Sequence, residues 1–321
     1  ATTSIFIEQC SFTQGSVNAS ALITGGLVHF EGCNFRVLQT ALDIQQYSVG
    51  VGFPNTQSVF KTGCIVEGCT INAMGGVTTA VGSSLITAET GNVWIQNNLF
   101  GAESSTVVEL PDYGIHATQP VGAFAGGFLQ LSVSGNKIKG IPYGIKLSQN
   151  LTYGEYNIRD NVIYGDVTGI LTLGLDLVVP AAFIGVLDVV NNVVYADSNT
   201  NVCFFVNGNG QVRGNSALCT EQTLNSMGTI SSEVGVGFML QPGAGVLQAS
   251  CNLVQGAGGH GFVLTNLAAY SGHTYLDNNV VDGDGRTQRG IFVSSSDDSS
   301  ITNNLIKNLR GSGIYHSGVG E

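Results

Sequence analysis

Ile158-Arg159-Asp160-Asn161-Val162-Ile163 and Leu276-Asp277-Asn278-Asn279-Val280-Val281 are two copies of one six-residue phrase. An apolar residue is followed by two polar or small ones, then Asn or Cys, one variable residue and a second apolar residue. The phrase occurs eleven times, with its Asn or Cys at Cys10, Cys33, Cys69, Asn98, Asn136, Asn161, Asn192, Asn215, Asn252, Asn279 and Asn304. Successive copies lie 23 to 38 residues apart, about 29 on average. Such spacing is a signature of solenoids, in which each repeat buries its apolar face only against its neighbours. The residue before the Asn or Cys is Asn, Asp or Gly in nine of eleven copies, as at Asn97, Gly135, Asp160 and Asn191. These types tolerate positive φ, so a sharp bend is expected there. An Asn placed next can hydrogen-bond backbone left open by the bend. If coils stack, these amides form a structural ladder.

A second phrase follows the first: Gly144-Ile145-Lys146-Leu147, Gly169-Ile170, Gly261-Phe262-Val263-Leu264, Gly290-Ile291-Phe292-Val293 and Gly313-Ile314. It begins 8 to 11 residues after the preceding ladder residue, which suits the next strand of the same coil. Together the phrases resemble the right-handed parallel β-helix, or pectin-lyase-like, superfamily over roughly residues 5–316. The resemblance implies an all-β, single-domain right-handed parallel β-helix of about eleven coils. That domain spans residues 1–321 and is either whole or a segment of a longer solenoid. At ~4.8 Å per coil the rod would be roughly 50 Å long. The resemblance says little about function, because the scaffold hosts lyases, hydrolases, epimerases, phage tailspikes, adhesins and inert fibres.

Composition narrows the partners. Charged residues are 10% of the chain and the formal net charge is −11, a poor match for nucleic acid or an anionic membrane, where a basic patch is expected. The most apolar stretch, residues 175–190, contains Asp176, Pro180 and Asp188. It falls short of the ~20 apolar residues a spanning helix needs, so membrane insertion is not expected. The start, Ala1-Thr2-Thr3-Ser4, has no charged or apolar leader, so any signal peptide is expected to be already removed. A low-charge surface rich in Ser, Thr and Asn points to the extracellular space, a cell surface or a virion surface. Asn18-Ala19-Ser20 and Asn150-Leu151-Thr152 fit the glycosylation sequon.

The seven cysteines show no metal-binding spacing, and no cofactor is expected. Cys10, Cys33 and Cys69 occupy the ladder position, where small thiols would replace Asn. Stacked at ~4.8 Å they also lie within reach of a Cys10–Cys33 or Cys33–Cys69 disulfide, and Cys203 with Cys219 is another candidate pair.

Because strand side chains alternate, the ladder assigns faces. Three residues before it come Ile7, Phe30, Val66, Ile95, Val133, Ile158, Val189, Val212, Ala249, Leu276 and Ile301. Two after it come Phe12, Phe35, Ile71, Phe100, Ile138, Ile163, Val194, Ala217, Val254, Val281 and Ile306. All are apolar and are expected to form inward stacks. Outward, three after the ladder, come Lys139, Tyr164 and Tyr195, and further on Asp282. Five after it come Glu103, Asp166, Asp197 and Asp284. One coil apart, Asp166 and Asp197 would match the ~5–5.5 Å carboxylate separation of retaining glycosidases. Tyr164, Tyr195 and Lys139 would line a carbohydrate-binding face beside them. The other reading is that turns simply favour Asp after Gly or Ala.

Glu8, Glu31 and Glu67 form an acidic row, either solvated or facing a basic partner. Gly259-His260-Gly261 and Asp297-Asp298 are similar to polygalacturonase motifs, but the order is reversed and that family's Asn-Thr-Asp and Arg-Ile-Lys are absent. Asp297-Asp298, Asp282 and Asp284 are expected to be turn residues between coils, with Arg286 and Arg289 paired to Asp282 or Asp284. Trp94 beside inward Ile95 is expected to face outward or pack on a loop.

Two functions from different classes remain open. An extracellular structural or adhesive β-solenoid would self-associate, head to tail or laterally, because repeat strands begin at Ile5-Phe6-Ile7 and persist to Gly313-Ile314-Tyr315 with no capping helix in the sequence. Phe6, Phe12, Ile306 and Ile314 would then be covered by the next copy, and the Glu row would meet its Lys307 or Arg310. A polysaccharide-processing enzyme, hydrolase or lyase, or a tailspike-like depolymerase, would instead use Asp166 and Asp197 on bound glycans.

Overall fold

The computed structural model describes residues 4–13, 21–23, 27–38, 40–45, 63–75, 83–103, 109–118, 129–148, 153–165, 172–178, 184–196, 200–219, 235–265, 272–294 and 298–317. These form thirty-two strands, β1 to β32, and no α-helix. No helix among them is long and apolar enough to cross a membrane.

Every strand pairing among the described residues is parallel, and each strand pairs with its counterpart one coil away. Three sheets result. Sheet A holds the strands leading into the ladder, from β1 (Ser4–Glu8) and β4 (Leu27–Glu31) to β30 (Asp298–Thr302). Sheet B holds the eleven short strands that follow it, from β2 (Ser11–Thr13) to β31 (Leu305–Lys307). Sheet C returns the chain to the next coil, from β3 (Ala21–Ile23) to β32 (Ser312–His316). The 13-residue β9 (Ser84–Gln96) runs unbroken through a corner, giving its first half to sheet C and its last to sheet A. The described residues thus form a parallel β-helix of eleven coils, of the right hand that parallel crossovers adopt.

The bend between sheets A and B recurs with little variation. The residue before each ladder position has φ between 50° and 66° in all eleven coils. Nine of these are Gly, Asn or Asp; the other two, Gln9 (φ 50°) and Cys251 (φ 56°), adopt the same turn. Left-handed backbone at such residues costs ~1 kcal/mol, so the stack imposes the bend where the local residue does not favour it.

The ladder is continuous. Asn161 Nδ2 donates to Val133 O at 2.9 Å and to Asn192 Oδ1 at 2.9 Å. Asn161 Oδ1 in turn accepts from Asn136 N and Asn136 Nδ2, each at 3.0 Å. The same pattern links Asn98, Asn136, Asn161, Asn192, Asn215, Asn252, Asn279 and Asn304. The thiols copy it: Cys33 N donates to Cys69 Sγ at 3.4 Å, Cys69 Sγ donates to Phe30 O at 3.8 Å, and Cys33 Sγ donates to Ile7 O at 3.4 Å. These are the contacts an Asn would make, with longer and weaker bonds to sulfur. All seven cysteines are free, so neither ladder pair is a disulfide. Burial pushes the Cys69 thiol up to about 11, keeping it protonated as a donor.

The two inward rows are buried through the nine inner coils, while Ile7, Ile301, Phe12 and Ile306 in the end coils are only half-buried. Each fully buried side chain contributes ~1.5–3 kcal/mol before entropy. Phe12 stacks on Phe35 at 4.7 Å, and Phe204, Phe238 and Phe262 continue such stacking inside sheet C.

Sheet C corrects one sequence expectation. Its register pairs Tyr143 with Leu173 and Ile145 with Leu175, so Gly144-Ile145 is matched by Gly174-Leu175 in β17 (Thr172–Val178). Gly169-Ile170 is not the equivalent pair and lies outside the described residues. A column of small residues fills this position. A Cβ on Gly144 would lie 2.7 Å from Gly174 O and 2.8 Å from the Ile163 side chain, and Gly174, Gly237 and Gly261 are equally tight against Val194, Val254 and Val281.

Replacing Asn161 with Ala removes four hydrogen bonds from the buried turn and leaves Val133 O and Asn136 N without the partner it supplied. We expect a loss of ~1–3 kcal/mol in equilibrium denaturation, with Asn161→Asp losing a comparable amount because it lacks the two donors.

Candidate functional site

The sequence placed a carbohydrate face three residues after the ladder. Register brings Lys139, Tyr164 and Tyr195 side by side in sheet B, on β13 (Lys137–Lys139), β16 (Val162–Gly165) and β19 (Val193–Ala196). The tyrosine rings stack at 5.0 Å with an interplanar angle of 9°, and Lys137 Nζ sits 5.3 Å from the Tyr164 ring centre. Each ring therefore covers one face of the other, and the cation over Tyr164 comes from Lys137, one residue after the ladder. Asp166 and Asp197 lie outside the described residues, as do both sequons and Asp297.

Other acidic candidates are engaged locally. Glu8, Glu31 and Glu67 do stack in register, and His29 Nε2 lies 3.9 Å from Glu67. Glu103 pairs with Arg36 through two hydrogen bonds of 3.0 and 2.9 Å. Asp282 meets Lys307 at 3.1 Å and accepts from Asn308, and these partners hold its carboxyl below the usual range. Arg286 pairs with Asp284 as expected, at 3.3 Å. Arg289 differs: its guanidinium lies 3.9 Å from the Tyr315 ring and 5.3 Å from Phe292. Cation–π contact with sheet C aromatics replaces the expected ion pair, because β29 (Arg289–Val293) turns that side chain along its own sheet. Trp94 is half-buried in the outward row of sheet A, between Ile65 and Ser132.

The densest chemistry lies on the outer face of sheet C, which the sequence reading did not single out. His116, Lys146 and Asp176 are consecutive in one outward row, on β11 (Tyr113–Ala117), β14 (Tyr143–Leu147) and β17. Lys146 Nζ donates to Asp176 Oδ2 and lies 5.6 and 5.8 Å from the Tyr113 and Tyr143 rings. Asp176 is 4% exposed, and its Oδ1 has no hydrogen-bond partner among the described residues. Burial raises its carboxyl although Lys146 opposes the shift. His116 Nε2 shares a 2.5 Å hydrogen bond with Ser148 Oγ. Burial, then the Lys146 charge, lowers its imidazole to about 4, so it is neutral at pH 7. Further along the face, His260 stacks on Phe292 at 5.2 Å and is likewise lowered to about 4 by burial and Arg289. A small apolar cluster of Val202, Val236, Met239 and Val263 covers the face between them. The shared Tyr-Gly-Ile opening of 113–115 and 143–145 was the available sequence signal. Among the described residues no three His, Cys, Asp or Glu groups converge as a metal cage.

No family model matches the chain, and no curated protein or solved structure matches it.

The two lowered imidazoles make stability pH-dependent. Folded, they stay neutral down to about 4, while unfolded they take a proton near 6.5. The unfolded chain therefore binds more protons in between; the contribution is complete above pH 6.5 and is lost as pH falls towards 4. The urea midpoint should drop between pH 7 and 5.5, and the double variant His116→Gln/His260→Gln should flatten that drop.

Proposed function

We propose that this protein is an extracellular structural or adhesive β-solenoid, of the pectin-lyase-like kind, that associates end to end with copies of itself. The observation that carries this reading is the state of the inward rows at the two end coils. Ile5 belongs to the row of Val28, Cys64 and Val93, yet is 50% exposed where Val28 is 4%. Ile314 continues Ile291, yet is 55% exposed where Ile291 is 0%. Within the described residues β1 pairs only with β4 and β32 only with β29, so the first and last described coils each carry a strand edge and apolar side chains that one further coil, of this chain or of a second copy, would cover. A second copy stacked in register would continue the rows, the strand pairing and the ladder. Phe6 is not part of that seam: it faces outward and packs edge-on against His29 at 5.8 Å. Lys307 is taken by Asp282 within the chain, which weakens the expected Glu-row contact and leaves backbone pairing as the chief glue. A low-charge surface and a net charge of −11 suit a secreted, cell-surface or virion fibre and disfavour nucleic acid.

The Tyr113, Tyr143, His116, Lys146 and Asp176 cluster favours a second reading, in which glycans bind or are processed on the solenoid face. Hydroxyls, a cation and a buried carboxylate side by side are groups suited to a polyol.

Negative-stain images of the purified chain at micromolar concentration should show filaments one solenoid wide. The double variant Ile5→Lys/Ile314→Lys should give discrete rods. A monodisperse wild-type monomer contradicts the structural reading, and release of reducing ends or unsaturated products from a glycan panel, abolished by Asp176→Asn, would replace it with the enzymatic one.

A further inference from the structure

We propose that Cys203 and Cys219 are a dithiol that forms a covalent cross-link between successive coils by exchange with a small-molecule disulfide. Cys203 lies in β20 (Thr200–Asn207) of sheet C, and Cys219 ends β22 (Ser216–Cys219) of sheet B in the following coil. Their sulfurs are 4.0 Å apart and both are free. A disulfide requires about 2.05 Å, a closure within reach of side-chain rotation.

The surrounding structure is fitted to a thiol at this point. From Gly114 to Gly313 the tight position of sheet C is Gly in every coil except one, where Cys203 follows Gly174 and precedes Gly237. Each of these glycines up to Gly290 is held against a Val or Ile of the next coil, among them Ile138, Ile163, Val194, Val254, Val281 and Ile306. Opposite Cys203 that row carries Ala217 instead. The missing methyls make room for a sulfur that a Val would exclude, and Cys219 stands two residues further on the same strand, with its sulfur turned to the gap. One exchange from Gly to Cys is thus matched by one from Val or Ile to Ala. The ladder thiols Cys33 and Cys69, in contrast, donate to carbonyls.

Exposure sets the order of events. Cys219 is partly exposed and Cys203 is 1% exposed. The Cys219 thiolate attacks one sulfur of R–S–S–R, forming a Cys219–S–S–R bond and expelling R–S⁻, which takes up the Cys219 proton. The Cys203 thiolate then attacks the Cys219 sulfur, expelling the second R–S⁻, which takes up the Cys203 proton. The two cysteines lose two electrons and two protons, and the small disulfide gains both as two R–SH. The hydrogen bond to Cys219 and burial push the Cys203 thiol well up, so the second step is the slow one. The bond would persist in an oxidising compartment. It is independent of end-to-end association.

The test uses the folded full chain carrying Cys251→Ser, incubated with glutathione disulfide, then denatured, alkylated with iodoacetamide and digested with trypsin without reduction. Cleavage after Arg159, Arg213 and Arg286 places Cys203 and Cys219 in separate peptides, 160–213 and 214–286. We expect those peptides joined, two hydrogens lighter than their sum, separable by reductant and absent from Cys219→Ala. The oxidised protein should also melt above identically treated Cys219→Ala. Alkylation of both cysteines, glutathione on Cys219 with Cys203 alkylated, or a link from either to another thiol overturns the proposal.

Discussion

At each corner between sheets A and B the backbone must turn sharply inside a packed rod, where water is not at hand to satisfy what the turn leaves open. A positive-φ residue makes the bend and the next residue's side chain supplies the missing partners. An Asn there uses both amide protons and accepts two bonds on its oxygen, so no polar group is left over. Because three of those bonds reach the preceding coil and one the following coil, the position also sets the register of every strand in sheets A and B. The apolar rows follow from it: once the ladder is stacked, residues three before and two after it can only point inward.

Side-chain volume is the second constraint. From Gly114 onward sheet C comes so close to the sheet B side chains of the next coil that glycine holds its tightest point in every coil but that of Cys203, and β-branched residues fill what glycine leaves. The Cys203 and Ala217 exchange shows that the fit is by volume, since the one added sulfur is accompanied by the one reduced side chain. At the outer face of the same sheet the requirement is electrostatic. Asp176 is buried in an ion pair with Lys146, and removing Lys146 alone would leave an uncompensated charge, whereas replacing both by apolar groups would be nearly neutral.

Sheets A and B were legible from the sequence because their distances from the ladder do not change. Ile158 and Ile163 stand in the same relation to Asn161 as Val189 and Val194 do to Asn192. Sheet C was less legible because the chain between ladder and strand varies: 8 residues separate Asn136 from Gly144, 13 separate Asn161 from Gly174 and 22 separate Asn215 from Gly237. Counting forward from the ladder therefore chose Gly169 over Gly174, and the Lys146–Asp176 contact fell out of view with it. The stacked Tyr164 and Tyr195 were readable for the opposite reason, lying only three residues past the ladder. Arg289 was assigned to a carboxylate by chain proximity, while its actual partner, Tyr315, lies one coil away and is near only once the register is known.

The central claim is that ladder amides join the coils into one structure, and amide hydrogen exchange at the ladder residues tests it most directly. The N–H groups of Asn136, Asn161, Asn192, Asn215 and Asn252 donate to the Oδ1 of the next ladder Asn at 2.9–3.1 Å. They should exchange as slowly as the buried strand amides on either side, and opening should be shared between neighbouring coils. Exchange of the Asn161 and Asn192 amides at open-chain rates, with the flanking strands still protected, would contradict the account.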